Sequence, residues 1–132
     1  MIYGIGTDII HIPRIEQLIN KYSTKFINRI LGKNEITIYQ SLSIKQQTNF
    51  VAKRFAGKES VAKAIGTGIT SSLLLRDIEI LNNNLGKPIV YIPNAAKILL
   101  NNIKLTEYKI DISLSDDYPL AIAFTVISAA ST

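Results

Sequence analysis

An α+β fold is expected, in one domain spanning residues 1–132, with short N-terminal helices, a long central helix and a mainly antiparallel sheet completed late in the chain. Three observations lead there. The chain opens on an alternating strand over residues 2–10, residues 44–65 carry helical apolar spacing, and the last third reads as short strands between turn residues. At 132 residues, 47% apolar and 19% charged, the chain is long enough to bury a core and too apolar for a disordered segment.

In the opening strand Tyr3, Ile5, Thr7 and Ile9 point one way, while Ile2, Gly4, Gly6, Asp8 and Ile10 point the other. The second face is bare of side chains just before Asp8. Pro13 suits the first turn of a helix whose apolar positions are Ile15, Leu18 and Ile19. Ser23 and Asn34 are candidate N-caps for helices around Phe26–Leu31 and Glu35–Leu42. Ser43 caps the long helix, and Gly66 closes it in the left-handed conformation open to glycine.

On the long helix, Val51, Phe55, Ala62 and Ile65 form the buried stripe. Lys58 projects into it, so either its ammonium snorkels to water or the stripe there meets a partner. Asp77–Leu81 and Lys87–Ile92 flank the turn sequence Asn82–Gly86 as a hairpin, and Asn94 starts a helix over Ala95–Asn102. Lys109–Ser115 and Leu120–Ile127 are strands joined by a turn over Asp116–Pro119. The almost wholly apolar last strand predicts a central position, buried on both faces.

Charge is uneven. Residues 1–66 hold ten Lys/Arg against four Asp/Glu, giving +6; residues 67–132 hold five against six, giving −1. A basic half suits an acidic partner or a phosphorylated small molecule. Its cations are not interleaved with aromatics, and no helix-turn-helix or zinc signature is present, so nucleic acid is not the expected partner. No run approaches the about 20 apolar residues of a membrane span, so no membrane association is expected. Residues 1–6 lack the pattern of a secretory signal and there is no cysteine; both fit a cytoplasmic protein.

Three constellations carry chemistry. In Gly4-Ile5-Gly6-Thr7-Asp8, the glycines either leave space for a metal or a close ligand in front of the carboxylate, or ease a bend before a capping aspartate. It is no dinucleotide fingerprint, since a third glycine and a crossover helix are missing. Along Arg54–Gly68, Glu59 is available to a metal, Arg54 and Lys63 to phosphates, and the backbone of Gly66-Thr67-Gly68 to an anion. The glycines follow the helix instead of opening it, so this is not a P-loop. Ser113 and Ser115 share a strand face where hydroxyls or backbone can meet a ligand, whereas Asp116 and Asp117 read mainly as turn formers. His11, the only histidine, has no nucleophile partner in sequence. Asp8 and Glu59 match the one or two protein carboxylates with which Mg²⁺ is commonly held.

With these segments in view, the sequence resembles the holo-acyl-carrier-protein synthase family, the small bacterial phosphopantetheinyl transferases. The resemblance rests on Gly4–Ile9 with Arg14-Ile15, on Phe50–Ala56, Lys58-Glu59-Ser60 and Lys63–Ile69, and on Asp77–Ile80, Gly86-Lys87-Pro88 and Ile112–Ser115. It implies transfer of phosphopantetheine from coenzyme A to a serine of an acyl carrier protein for fatty acid biosynthesis, with Mg²⁺ held by Asp8 and Glu59. It implies catalytic roles for Asp8, Glu59 and Lys63, the last stabilising charge on phosphates. The serine's proton would pass to Glu59, to Asp8 or to a metal-bound water.

The same resemblance implies coenzyme contacts at Arg54, Lys63, Gly66, Thr67, Gly68, Gly86, Pro88, Ser113 and Ser115. It places carrier-protein docking at Arg14, which Lys21, Lys25 and Arg29 extend. A homotrimer with active sites at the subunit interfaces is implied too, each combining Asp8 of one chain with the long helix of its neighbour. One departure stands out: Asp116-Asp117 occupies the neighbourhood where many relatives carry histidine, and His11 does not replace it.

Overall fold

The longest helix, α4 (Ile44–Ile65), is the element against which the others are laid. The computed structural model describes residues 1–102 and 105–129. Before α4 come strand β1 (Ile2–His11) and helices α1 (Ile12–Tyr22), α2 (Thr24–Ile30) and α3 (Lys33–Ser41). After it come β2 (Glu79–Asn82), β3 (Pro88–Tyr91), helix α5 (Asn94–Asn102), β4 (Tyr108–Asp117) and β5 (Leu120–Ala129). Strands β1, β5 and β4 form one antiparallel sheet in that order, and β2 pairs with β3 in a separate hairpin. Among the described residues no helix is long and apolar enough to cross a membrane.

Both ends of α4 follow from local chemistry. The Ser43 hydroxyl accepts from the Gln46 N–H at 3.3 Å while the Gln46 side chain reaches back to the Ser43 N–H, a reciprocal capping box. Gly66 ends the helix at φ 103°, and its N–H donates to the Ala62 carbonyl. The other caps differ from expectation. Asn34 lies inside α3, whose cap is Gly32, with the Glu35 carboxylate accepting from the Gly32 N–H at 2.9 Å. Ser23 precedes α2 with φ 51° and makes no side-chain cap bond.

The buried surface of α4 is much wider than the predicted stripe. Twelve of its residues are buried, and beyond Lys53 the less buried positions, Phe55, Glu59 and Lys63, recur every four residues along one line. One apolar cluster joins α1, α2 and the first half of α4; another joins its second half to Ile78, Leu100 and Ile127. Lys58 neither snorkels nor awaits a partner. It is fully buried and paired with Glu35 on α3, also fully buried, and donates to the Ile30 carbonyl at 2.5 Å.

Strand β5 takes the predicted central place but is buried on one face only. Ala121, Ala123, Thr125 and Ile127 face α4, where Thr125 and Ser60 hydroxyls hydrogen-bond at 2.7 Å. Leu120, Ile122 and Phe124 point to the other side, which no helix among the described residues covers in the single chain. The preceding turn is also tighter than expected, because Asp116 and Asp117 pair with Ala121 and Leu120 as strand residues.

The bare face of β1 lies directly on α4. A Cβ at Gly4 would sit 2.0 Å from the Ala64 carbonyl oxygen, and one at Gly6 would sit 2.0 Å from that of Ser60. The space in front of Asp8 is therefore filled by helix backbone, which corrects the reading of an opening left for a metal or ligand. Gly57 differs, since its Cβ would meet only the ends of the Ile80, Leu114 and Ile112 side chains. Urea unfolding should accordingly register a loss of about 3 kcal/mol for Gly6→Ala, at the upper end of overpacking costs, and a smaller loss for Gly57→Ala. Equal losses would mean that β1 and α4 are not in backbone contact.

Candidate active site

Two residues beyond Gly6 on the same strand face, Asp8 is carried to the flank of α4. Lys63 reaches across from the helix, its Nζ donating to the Thr7 carbonyl at 2.9 Å and to Asp8 Oδ1 at 3.2 Å. The Asp8 side chain is 17% exposed and that of Lys63 50%, so the pair sits at a surface open to a ligand. Glu59 lies one turn before Lys63. Partial burial, with the Asp8 charge beside it, pushes the Glu59 carboxyl above the usual carboxylate range, while Lys63 pulls the other way.

Asp8, Glu59 and Lys63 thus meet within one chain, which corrects the expectation that Asp8 meets a neighbour's helix. Among the described residues no group of three or more metal-ligating side chains surrounds one point. The donor set at this place is a pair of carboxylates whose mutual repulsion a cation would relieve. That fits Mg²⁺, which keeps waters and substrate phosphates as its remaining ligands.

A second assembly surrounds Arg54. The residue is 5% exposed, and its guanidinium donates from Nη2 to Asn82 Oδ1 at 3.1 Å and lies 4.5 Å over the Phe50 ring. Four predicted coenzyme contacts, Arg54, Gly86, Pro88 and Ser113, line one cavity of about 230 Å³ with Lys53 and Asn82. A wider cavity of about 710 Å³ opens on the other side of Arg54, between α3 and α4. Lys53 and Asn82, which line both, were missed in the sequence. Lys53 stands beside Arg54 in the basic run, a signal passed over, while Asn82 looked like an ordinary turn residue. Asp116 pairs with Lys53 at 3.2 Å and so does more than shape a turn.

The remaining predicted contacts do not join this cavity. Gly66, Thr67 and Gly68 follow the far end of α4, roughly 18 Å along the helix from Arg54 at 1.5 Å per residue. The Gly66 and Gly68 N–H groups both donate to the Ala62 carbonyl at 3.1 Å, so two of the three donors expected to face an anion are used internally. Ser115 is exposed on the outer face of β4, beside Ile122 of β5.

Arg14, Lys21, Lys25 and Arg29 are exposed on α1 and α2. Lys25 and Arg29 rim a cavity of about 530 Å³ whose wall is otherwise Leu18, Tyr22, Phe26, Ile30 and Leu75. Basic rim and apolar floor together suit an acidic, amphipathic protein surface. Arg14 and Lys21 do not line it.

The chain has clear relatives in sequence and fold. A profile of the 4'-phosphopantetheinyl transferase superfamily matches residues 4–123, and the chain belongs to that family. It is 99% identical over 130 residues to a holo-[acyl-carrier-protein] synthase of Orientia tsutsugamushi (strain Ikeda), covering 98% of this chain and 99% of that protein. The crystal structure of holo-[acyl-carrier-protein] synthase from Neisseria meningitidis superposes with TM-score 0.87 at 38% identity, over 97% of this chain and 99% of that one. The synthase from Bacillus anthracis in complex with CoA (3',5'-ADP) superposes with TM-score 0.82 at 38% identity, covering 98% and 99%.

The raised Glu59 carboxyl gives a signed expectation. Its contribution to stability is complete below the ordinary carboxylate range and is lost as pH rises through its elevated folded value. A divalent cation must displace any proton there and relieves the charge once ionised. Millimolar Mg²⁺ should therefore raise Tm more at about pH 7.5 than at about pH 5, and Glu59→Gln should abolish most of the rise. A pH-independent rise would place the cation elsewhere.

Proposed function

We propose that the chain is a holo-acyl-carrier-protein synthase, moving phosphopantetheine from coenzyme A to a serine of apo-acyl carrier protein with Mg²⁺, for fatty acid biosynthesis in the cytoplasm. The observation that carries this reading is the meeting of Asp8, Glu59 and Lys63 on one chain at the surface. The 99% identity to a named synthase and the likeness to a coenzyme A complex support it.

The carrier serine oxygen attacks the β-phosphorus in line. The bond from that phosphorus to the bridging pyrophosphate oxygen breaks, and adenosine 3',5'-bisphosphate leaves. Asp8 and Glu59 would hold the Mg²⁺, which when bound there supplies positive charge to the pyrophosphate and the leaving group. Lys63 is held near that position by the Thr7 carbonyl and Asp8, and it stabilises charge developing on phosphate oxygens. The serine proton passes to Glu59, Asp8 or a water that they orient. Arg54, Gly86, Pro88 and Ser113 take the nucleotide end of coenzyme A in their cavity. Arg14, Lys21, Lys25 and Arg29 hold the acidic carrier protein.

A homotrimer is part of the same reading. Ile5, Ile9, Leu120, Ile122 and Phe124 form a contiguous outer sheet face, with Ile5 60% and Phe124 45% exposed in the single chain. Such a face is unusual for a monomer and suits burial against identical copies. Ser115 on that face, and the loop Gly66–Gly68, are assigned to sites that a neighbouring copy completes.

Intact-mass measurement of carrier protein incubated with coenzyme A and Mg²⁺ should reveal the added phosphopantetheine. Glu59→Ala should reduce turnover at least about 100-fold, on the scale of losing a catalytic acid–base group. Near-normal turnover of that variant at saturating Mg²⁺ would contradict the site. Arg14→Glu should raise KM for carrier protein far more than KM for coenzyme A, and equal effects would contradict the docking face. Sedimentation should give three chain masses for the protein and fewer for Phe124→Lys; an unaltered protein running as a monomer would remove the trimer.

A further inference from the structure

Two charged side chains in the core, Glu35 and Lys58, take no part in the chemistry above, yet both have 0% exposure. Glu35 is held from two directions by backbone. Its Oε1 accepts from the Gly32 N–H at 2.9 Å and its Oε2 from the Ile80 N–H at 3.0 Å, so the carboxylate joins α3 to β2. Lys58 donates to Oε1 and to the Ile30 carbonyl, which uses its ammonium entirely inside the core. On the other side, Oε2 faces Arg54 Nε at 3.9 Å.

One buried carboxylate therefore serves two buried cations. Glu79 is the other acid nearby, but it is bound to the start of α3 through the Asn34 N–H, the Asn34 amide and the Glu35 N–H. With Lys58 matched to Glu35, the surplus positive charge resides on Arg54. Its Nε is buried without a hydrogen-bond partner, one of its faces rests on Phe50, and Asn82 takes Nη2. A core that needed only stability would not add a third charge with an unmatched donor, because an uncompensated buried cation is costly. The guanidinium stands in the walls of both the 230 Å³ and the 710 Å³ cavities, where an anion can reach it.

We propose that Glu35 is a positioning residue for Arg54: it sets the guanidinium rigidly between the two cavities to receive a phosphate of the nucleotide substrate, while Lys58 holds the Glu35 carboxylate in place. The substrate's phosphate then supplies the counter-charge that Glu35, shared with Lys58, leaves unmet. This inference rests on the coenzyme A reading above and adds a residue that touches no substrate. It separates binding from chemistry, since Glu35 reaches the coenzyme only through Arg54 and lies outside the Asp8–Glu59–Lys63 cluster.

The test is steady-state kinetics and thermal unfolding of the double variant Glu35→Gln/Lys58→Met, which removes the two core charges together. Expected is a folded protein whose KM for coenzyme A rises about ten-fold, as loss of one charge-assisted contact implies, with kcat at saturating coenzyme A and KM for carrier protein within about two-fold. A folded double variant with unchanged KM for coenzyme A would reduce the pair to core structure and overturn the proposal. If that variant does not fold at the assay temperature, Glu35→Asp keeps the charge but withdraws it by one methylene. It should then raise the same KM about three-fold while sparing kcat, the size of a weakened ionic contact, and no change would overturn the proposal. Failure of the unaltered protein to use coenzyme A would overturn the functional reading as well, whereas unchanged variants beside an active parent overturn this inference alone.

Discussion

Strand β1 and helix α4 touch backbone to backbone at Gly4 and Gly6, and the placement of the acidic cluster follows from that contact. A side chain at either glycine would hold the strand away from the helix by the width of a methyl group or more. Asp8, next on the same strand face, would move with it, and Lys63 would lose both the Thr7 carbonyl and Asp8. The close approach also explains why Glu59 feels Asp8: two carboxylates from opposite ends of the first half-chain are brought into one field. In most cores such repulsion is a defect. At this surface it is the repulsion that the proposed divalent cation would relieve.

A second constraint runs through the same helix on another side. Glu35, Lys58 and Arg54 form a buried ionic group that ties α3, α4 and β2 together. Breaking one partner of a buried ion pair typically costs about 3–5 kcal/mol, which makes this group as demanding for the fold as an apolar contact. α4 is thus a frame with two working edges, one carrying Glu59 and Lys63, the other carrying Arg54. The less buried line of Phe55, Glu59 and Lys63 lets the first edge meet solvent, while Arg54 faces inward toward its cavities.

Much of the fold was legible because its signals are local. Ser43 and Gly66 act on their own helix, and their side-chain and backbone chemistry needs no tertiary knowledge. The hairpin of β2 and β3 and the central place of β5 were similarly plain from turn residues and apolar runs. What failed depends on partners distant in sequence. Gly4 and Gly6 read as open space, since a missing side chain looks the same whether a ligand or a helix fills the gap. Glu35 stood only as the first residue of an expected helix, and nothing near Lys58 in sequence names it as partner. Apolar alternation on β5 could not say that one face lacks a covering layer. In the site, Asp8, Glu59 and Lys63 were chosen by family resemblance, their spacing alone leaving alternatives, and the fold gathers all three. Gly66–Gly68 and Ser115 lie apart from the Arg54 cavity, which a motif in one dimension does not reveal.

The central claim is that Asp8 and Glu59 of the same chain share one divalent cation beside a nucleotide's phosphates. Anomalous diffraction from crystals grown with Mn²⁺ and coenzyme A tests it most directly. The account predicts one strong peak bonded to both carboxylates of a single chain, with a pyrophosphate oxygen as a further ligand. A peak that joins Asp8 to a neighbouring chain's helix, or that lies away from Glu59, would contradict it.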